Sequence, residues 1–169
     1  MDKTIYFQDN FFSSGLTDIH NKDYIKVGLL DLKTAFSRKV SVLDLESKET
    51  MKGMFLHFLS RKWRVVDPHG TEQGLVQQKL FTFSKAFDYH KANGQHYRIE
   101  SPIFSREYTI YDDTDQIIAR FYRVSSFLSV PAFKLENHSN SLNTAELIIV
   151  IMGVNAIQKN NNNGAASST

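Results

Sequence analysis

Residues 147–154 read Leu-Ile-Ile-Val-Ile-Met-Gly-Val, and wound at about 100° per residue they leave no polar stripe on any side. The β-branched run from Ile148 to Ile151 favours a strand on propensity alone. Length and ends decide for a helix: about fourteen residues pass without a turn signal, too many for one strand. Asn143 followed three residues later by Glu146 is a capping-box pattern, and Lys159 puts a cation in the last turn, so a helix is predicted over about 144–159. A helix apolar on every side must be buried all round or lie in a membrane. With Ala145, Ala156 and Ile157 the apolar stretch covers only about 20 Å, against about 30 Å of hydrocarbon in a bilayer. It therefore requires a tube of apolar side chains from the rest of the chain.

The rest of the chain reads as strands. Thirteen Phe, seven Tyr and one Trp make 12% of the residues aromatic, which favours β-structure. Turn signals stand at Asp67-Pro68-His69-Gly70, Asn93-Gly94, Asp112-Asp113-Thr114-Asp115 and Asn137-His138-Ser139-Asn140, at hairpin intervals. Around them lie short apolar or alternating segments at 5–8, 24–30, 40–45, 54–58, 63–66, 75–78, 81–83, 87–90, 96–100, 108–111, 117–122 and 132–135. About twelve strands are too many for one twisted open sheet, so a closed antiparallel barrel is expected rather than a sandwich. At 169 residues the chain fits one domain, spanning 1–159. The stretch 160–169, rich in Asn and small residues, is read as a disordered tail.

Composition narrows the function. Twenty Lys and Arg against eighteen Asp and Glu, both spread along the chain, leave a net +2 and argue against nucleic acid as a partner. The absence of cysteine removes disulfides, thiolate metal sites and thiol nucleophiles. The first thirty residues hold no unbroken apolar stretch of a secretory signal, and a cytoplasmic protein is expected. Neither Gly-x-Ser-x-Gly nor a Gly-rich phosphate loop is found, so no catalytic residue, cofactor or enzymatic activity is expected.

Two clusters invite a search for metal ligands. The Asp112–Asp115 run lacks the Gly and Glu of a calcium loop, Ile117 and Arg123 standing at those places, and it reads as a hairpin turn. His90 and His96 flank Asn93-Gly94 and oppose one another only if the loop has three residues. No third ligand is evident beside them, so no metal is expected, and neither zinc nor calcium should raise the melting temperature. The basic positions give the nearest approach to a binding signal. In Arg61-Lys62-Trp63-Arg64 a strand would place Lys62 and Arg64 on one face, with Trp63 on the other as core or as a membrane-interface anchor. Lys33, Arg38 and Lys39 form a second group.

Trp63-Arg64-Val65-Val66-Asp67 before Gly70, Phe87-Asp88-Tyr89 before Asn93-Gly94, and Tyr108-Thr109-Ile110-Tyr111-Asp112 before Ile118-Ala119-Arg120 precede the apolar helix. This order resembles the LURP-one-related proteins of the tubby-like superfamily, over roughly residues 24 to 159. The resemblance implies a barrel of about twelve strands with the C-terminal helix threaded through its middle. Gly153 and Ala156 would then mark the closest approach of wall and helix, or Gly153 simply weakens the helix by about 1 kcal/mol. Tubby domains bind phosphoinositide headgroups and scramblases are associated with phospholipid movement. This chain lacks the scramblases' Cys-rich segment, their Pro-rich N-terminal region and a complete calcium loop. The expectation is a non-enzymatic barrel that binds an anionic phospholipid headgroup through Lys62, Arg64, Lys33, Arg38 and Lys39, peripherally at the inner membrane surface, or binds an apolar ligand. The alternative is a structural module that takes a protein partner.

Overall fold

The computed structural model describes residues 1–8, 12, 15–32, 39–57, 60–79, 85–102, 105–127 and 130–166, without the side chains of Lys85, Ser126 and 162–166. Its framework is one hairpin loop used repeatedly. Asn21, Asp44, Asp67 and Asp112 each turn a side-chain Oδ1 forward to accept the backbone N–H groups two and four residues on, at 2.8 to 3.0 Å. In each loop the fourth residue bends with positive φ: Tyr24 at 62°, Ser47 at 63°, Gly70 at 89° and Asp115 at 60°. Lys91 to Gln95 repeats the backbone bonds of these loops, with Gly94 at 90°. An Asx side chain that satisfies its own turn makes each hairpin locally self-sufficient.

The loops join twelve strands: β1 (Thr4–Gln8), β2 (Leu16–Asn21), β3 (Lys26–Asp31), β4 (Lys39–Leu43), β5 (Glu49–Phe55), β6 (Lys62–Val66), β7 (Glu72–Gln78), β8 (Lys85–Lys91), β9 (His96–Ser101), β10 (Tyr108–Tyr111), β11 (Ile117–Phe127) and β12 (Val130–Asn137). Each pairs antiparallel with its neighbours in sequence, and β1 closes on β12 in the register Thr4 to Glu136 through Gln8 to Ala132. A closed barrel has no open edge to mispair.

The last element, α1 (Thr144–Ala166), fills the lumen. Eight strands enclose little more than their own side chains and about sixteen leave an aqueous channel, so twelve suit a helix about 10 Å across. Ala145 to Asn155 are all buried, with Leu147, Ile148, Ile149, Ile151 and Val154 at 0% exposure. Inward residues of the wall, among them Phe7, Ile19, Val42, Val65, Val76, Phe87, Tyr89, Ile99 and Ile110, surround them. Each fully buried Leu, Ile or Val contributes roughly 1.5 to 3 kcal/mol. This is the tubby C-terminal domain-like architecture, with the helix threaded as expected.

Two expectations differ in detail. The strand β2 and the start of β5 are absent from the sequence reading, because the turns at Asn21 and Asp44 bend on Tyr24 and Ser47 where a glycine was sought. The expected strand at 81–83 lies outside the described residues. The helix does not stop at Lys159 but runs to Ala166, through residues expected to form a tail. Once a helix is nucleated each added residue gains a hydrogen bond, and Asn161 Nδ2 donates to Gln78 Oε1 of the wall at 2.6 Å.

Candidate functional site

On β4, β5 and β6 the register sets Lys39 beside Met54 and Met54 beside Arg64, while Ser41 lies beside Lys52. Their strand neighbours Val40, Val42, Gly53, Trp63 and Val65 are buried, so Lys39, Lys52, Lys62 and Arg64 share the outer face. Glu49 Oε2 lies 3.2 Å from Lys39 Nζ and its Oε1 3.0 Å from Lys52 Nζ. Arg64 Nε donates to Glu72 Oε2 at 2.7 Å. Burial pushes the Glu49 carboxyl up, but hydrogen bonds from Ser41, Lys52 and Lys39 outweigh it and hold the group below its ordinary value. Lys62 is exposed, and among the described residues it has no ion-pair partner. Among the described residues, four cations against Glu49, Glu72 and the flanking Asp31, which pairs with Ser41, leave this strip net positive by one. Lys33 and Arg38 lie outside the described residues. Lys52 was missed by the sequence reading, although strand alternation on β5 would have aligned it with Met54.

Trp63 cannot serve as a membrane-interface anchor, since it is 1% exposed and points into the lumen. Its indole fits between two glycines. A Cβ on Gly53 would stand 2.3 Å from Nε1, and one on Gly153 would stand 2.4 Å from Cδ1. Gly153 is therefore a point of close approach between helix and wall, whereas Ala156 is half-buried against the core.

The outer face of β7, β8 and β9 holds the cluster the sequence reading did not assemble. His90 pairs directly with His96 across the hairpin, their rings 4.9 Å apart. Asp88, two residues before His90 on the same strand, projects on the same side, and its Oδ1 lies 2.8 Å from His96 Nε2 and 3.3 Å from Lys79 Nζ. The expectation that no third ligand stands beside the two histidines is overturned, since one ligand atom from each of Asp88, His90 and His96 falls within 4.8 Å of the others. The signal was present along the strand, where period two puts positions 88 and 90 on one face.

The Asp112 side chain is committed to its own turn, accepting from Thr114 Oγ1 at 2.7 Å besides the two amides. These bonds hold its carboxyl below the ordinary value. Asp115 accepts from Arg98 Nη2 at 2.6 Å. At the N-terminal end of α1, Asn143 Oδ1 caps the Glu146 amide at 2.8 Å, but the Glu146 carboxylate does not complete a capping box. It accepts instead from the Tyr89 hydroxyl at 2.6 Å and lies 3.4 Å from Lys91 Nζ, tying helix to wall. Burial and the Glu146 charge drive the Tyr89 hydroxyl's pKa well above its usual range. A depression of about 430 Å³ opens over this joint, lined by Lys3, Lys91, Asn137, Ser141 and Glu146 among others.

No protein-family model matches the sequence, and no curated protein matches it. The fold matches the X-ray structure of a protein from Arabidopsis thaliana, with a TM-score of 0.58 over 90% of this chain and 91% of that chain. At 15% identity the likeness shows a shared fold and no more.

Proposed function

We propose that the chain is a non-enzymatic LURP-one-related member of the tubby-like superfamily whose outer β4–β6 face binds anionic phospholipid headgroups. The observation that carries this reading is the net positive strip in which Lys62 is exposed, without an ion pair among the described residues, beside Arg64, Lys39 and Lys52. Arg offers a bidentate donor to phosphate and Lys a point charge. Each is worth about 1 kcal/mol near an anionic surface, so binding is weak, salt-sensitive and restricted to multiply charged lipids. Among the described residues no helix is long and apolar enough to cross a membrane. In this reading attachment is peripheral, at the cytoplasmic surface. The barrel and its helix act as a single domain.

A second reading, a protein-interaction module without lipid ligand, draws on the same residues. Glu49 and Glu72 already engage Lys39, Lys52 and Arg64, which suits a mixed-charge protein surface better than a bare phosphate site. Co-sedimentation with vesicles separates the two. Phosphatidylserine or phosphoinositide vesicles should carry the protein down at low salt and release it at high salt, and phosphatidylcholine vesicles should not bind. Substituting Lys62→Ala and Arg64→Ala together should abolish that binding with little change in melting temperature. A wild-type protein indifferent to anionic vesicles at low salt eliminates the lipid reading in favour of the module. Binding that survives the double substitution moves the site to Lys33, Arg38 and Lys39.

A further inference from the structure

We propose that Asp88, His90 and His96 form a binding site for a zinc-class divalent transition-metal ion on the outer wall of the barrel. Two imidazoles and a carboxylate suit zinc and its neighbours, whereas calcium and magnesium prefer oxygen alone. The three ligands come from one hairpin. Period two aligns Asp88 with His90 on β8, and the direct His90 to His96 pairing brings in β9, so a backbone ladder holds all three Cα positions.

The side chains are close to coordinating geometry. Ligands at about 2.0 to 2.2 Å from zinc lie about 3.3 Å from one another in a tetrahedron. Asp88 Oδ1 accepts a hydrogen bond from His96 Nε2 at 2.8 Å, a proton that a metal ion would replace between the two, and the exposed His90 ring places its ligand nitrogen within 4.8 Å of both. His90 Nε2 lies 3.0 Å from Gln77 Nε2. An amide nitrogen only donates, so in this arrangement the ring nitrogen presents its lone pair, as a metal ligand must. Gln77 pairs with Asp88 across β7 and β8, and its carbonyl oxygen is within reach as a fourth ligand by rotation of the amide.

The local charge is also suited to a cation. Asp88 is buried to 7% exposure, and its two ionic contacts among the described residues fall on Oδ1. Its register partner Arg98 would compete, but the guanidinium is turned away to Glu100 and Asp115 and over the Tyr111 ring. Lys79 Nζ at 3.3 Å is the one cation against this carboxylate among the described residues, and a metal ion would displace it.

The test uses the full chain, free of any affinity tag, stripped with chelator and titrated with zinc chloride by calorimetry. One zinc ion should bind per chain with micromolar affinity. Zinc should raise the melting temperature, as only a ligand preferring the native state does, and calcium and magnesium should not. His90→Ala leaves the exposed surface otherwise intact and should weaken zinc binding by at least about tenfold, as should Asp88→Asn. His57→Ala and His69→Ala should leave it unchanged. Cobalt substituted for zinc should give visible absorption bands that disappear in His96→Ala. Absence of zinc-dependent heat and stabilisation overturns the proposal, and so does unchanged zinc affinity in His90→Ala, which would place the ion elsewhere.

Discussion

Replacing Gly153 by Ala should destabilise the protein, although Ala is the better helix former by about 1 kcal/mol. A Cβ at this position meets the Trp63 ring at 2.4 Å from Cδ1, 2.7 Å from Cγ and 2.9 Å from Nε1, all closer than real Cβ contacts come. The indole has no room to retreat, because Gly53 already lies against Nε1 and the Phe55 ring stands edge-on at 5.2 Å. Overpacking a rigid ring sits at the upper end of the usual range, about 3 kcal/mol. Subtracting the propensity gain leaves a net loss of about 2 kcal/mol, or a melting point lower by about 4 to 8 °C in a domain of this size. Trp63 is the only tryptophan, so its fluorescence in a urea titration reports on the very contact under test. A double-mutant cycle checks the cause. In a Trp63→Leu background, followed by circular dichroism, Gly153→Ala should turn neutral or stabilising. A single Gly153→Ala variant as stable as the parent, or more stable, would refute the packing of α1 against β6.

Other outcomes follow from the same structure. Ile149→Asp sets an unpaired carboxylate at a 0% exposed position and should leave no soluble folded protein, at a cost comparable to a domain's whole stability of roughly 5 to 15 kcal/mol. A soluble variant with the parent's melting temperature would contradict the central helix. Glu136 is held below its ordinary value chiefly by the hydrogen bond from Lys134 at 2.5 Å. Its contribution to stability is complete above the unfolded carboxyl pKa of about 4.5 and is lost as pH falls through the lower folded value. Melting curves between pH 6 and pH 3 should fall less steeply for Glu136→Gln than for the parent, and equal slopes would remove the assigned role.

How much of this was legible depends on where each signal lay. The helix announced itself because residues 147–154 admit no polar side, and burial all round is what such a segment requires. Lys62 and Arg64 were separable from Trp63 by alternation alone. The turns at Asp67, Lys91 and Asp112 were visible through Gly70, Gly94 and an acidic run. Those at Asn21 and Asp44 were not, because Tyr24 and Ser47 carry the positive φ there, and a single Asn or Asp without a following glycine or acidic run is a weak turn signal even though its Asx bonds offset the strain. Asp88 was overlooked because the search for a third ligand looked across the hairpin instead of along β8. The Tyr89 to Glu146 bond joins elements 57 positions apart and leaves no local trace.

The central helix follows all twelve strands in sequence, and this governs the order of assembly. Hairpins stabilised by their own turns can form as they leave the ribosome, but the wall they build has nothing to close around until residues 144–157 have been synthesised. Closure also needs β1, the first of the twelve strands, to meet β12, with the Thr144 hydroxyl donating to the Asp2 carbonyl at 2.9 Å across the seam. Folding is consequently a late, long-range event, slow by the measure of contact order, and the unfinished sheet exposes its apolar inner face meanwhile. A chain that stops before Asn143 lacks the helix that fills its lumen, so such products expose the apolar inner face of the wall and are destined for aggregation or proteolysis.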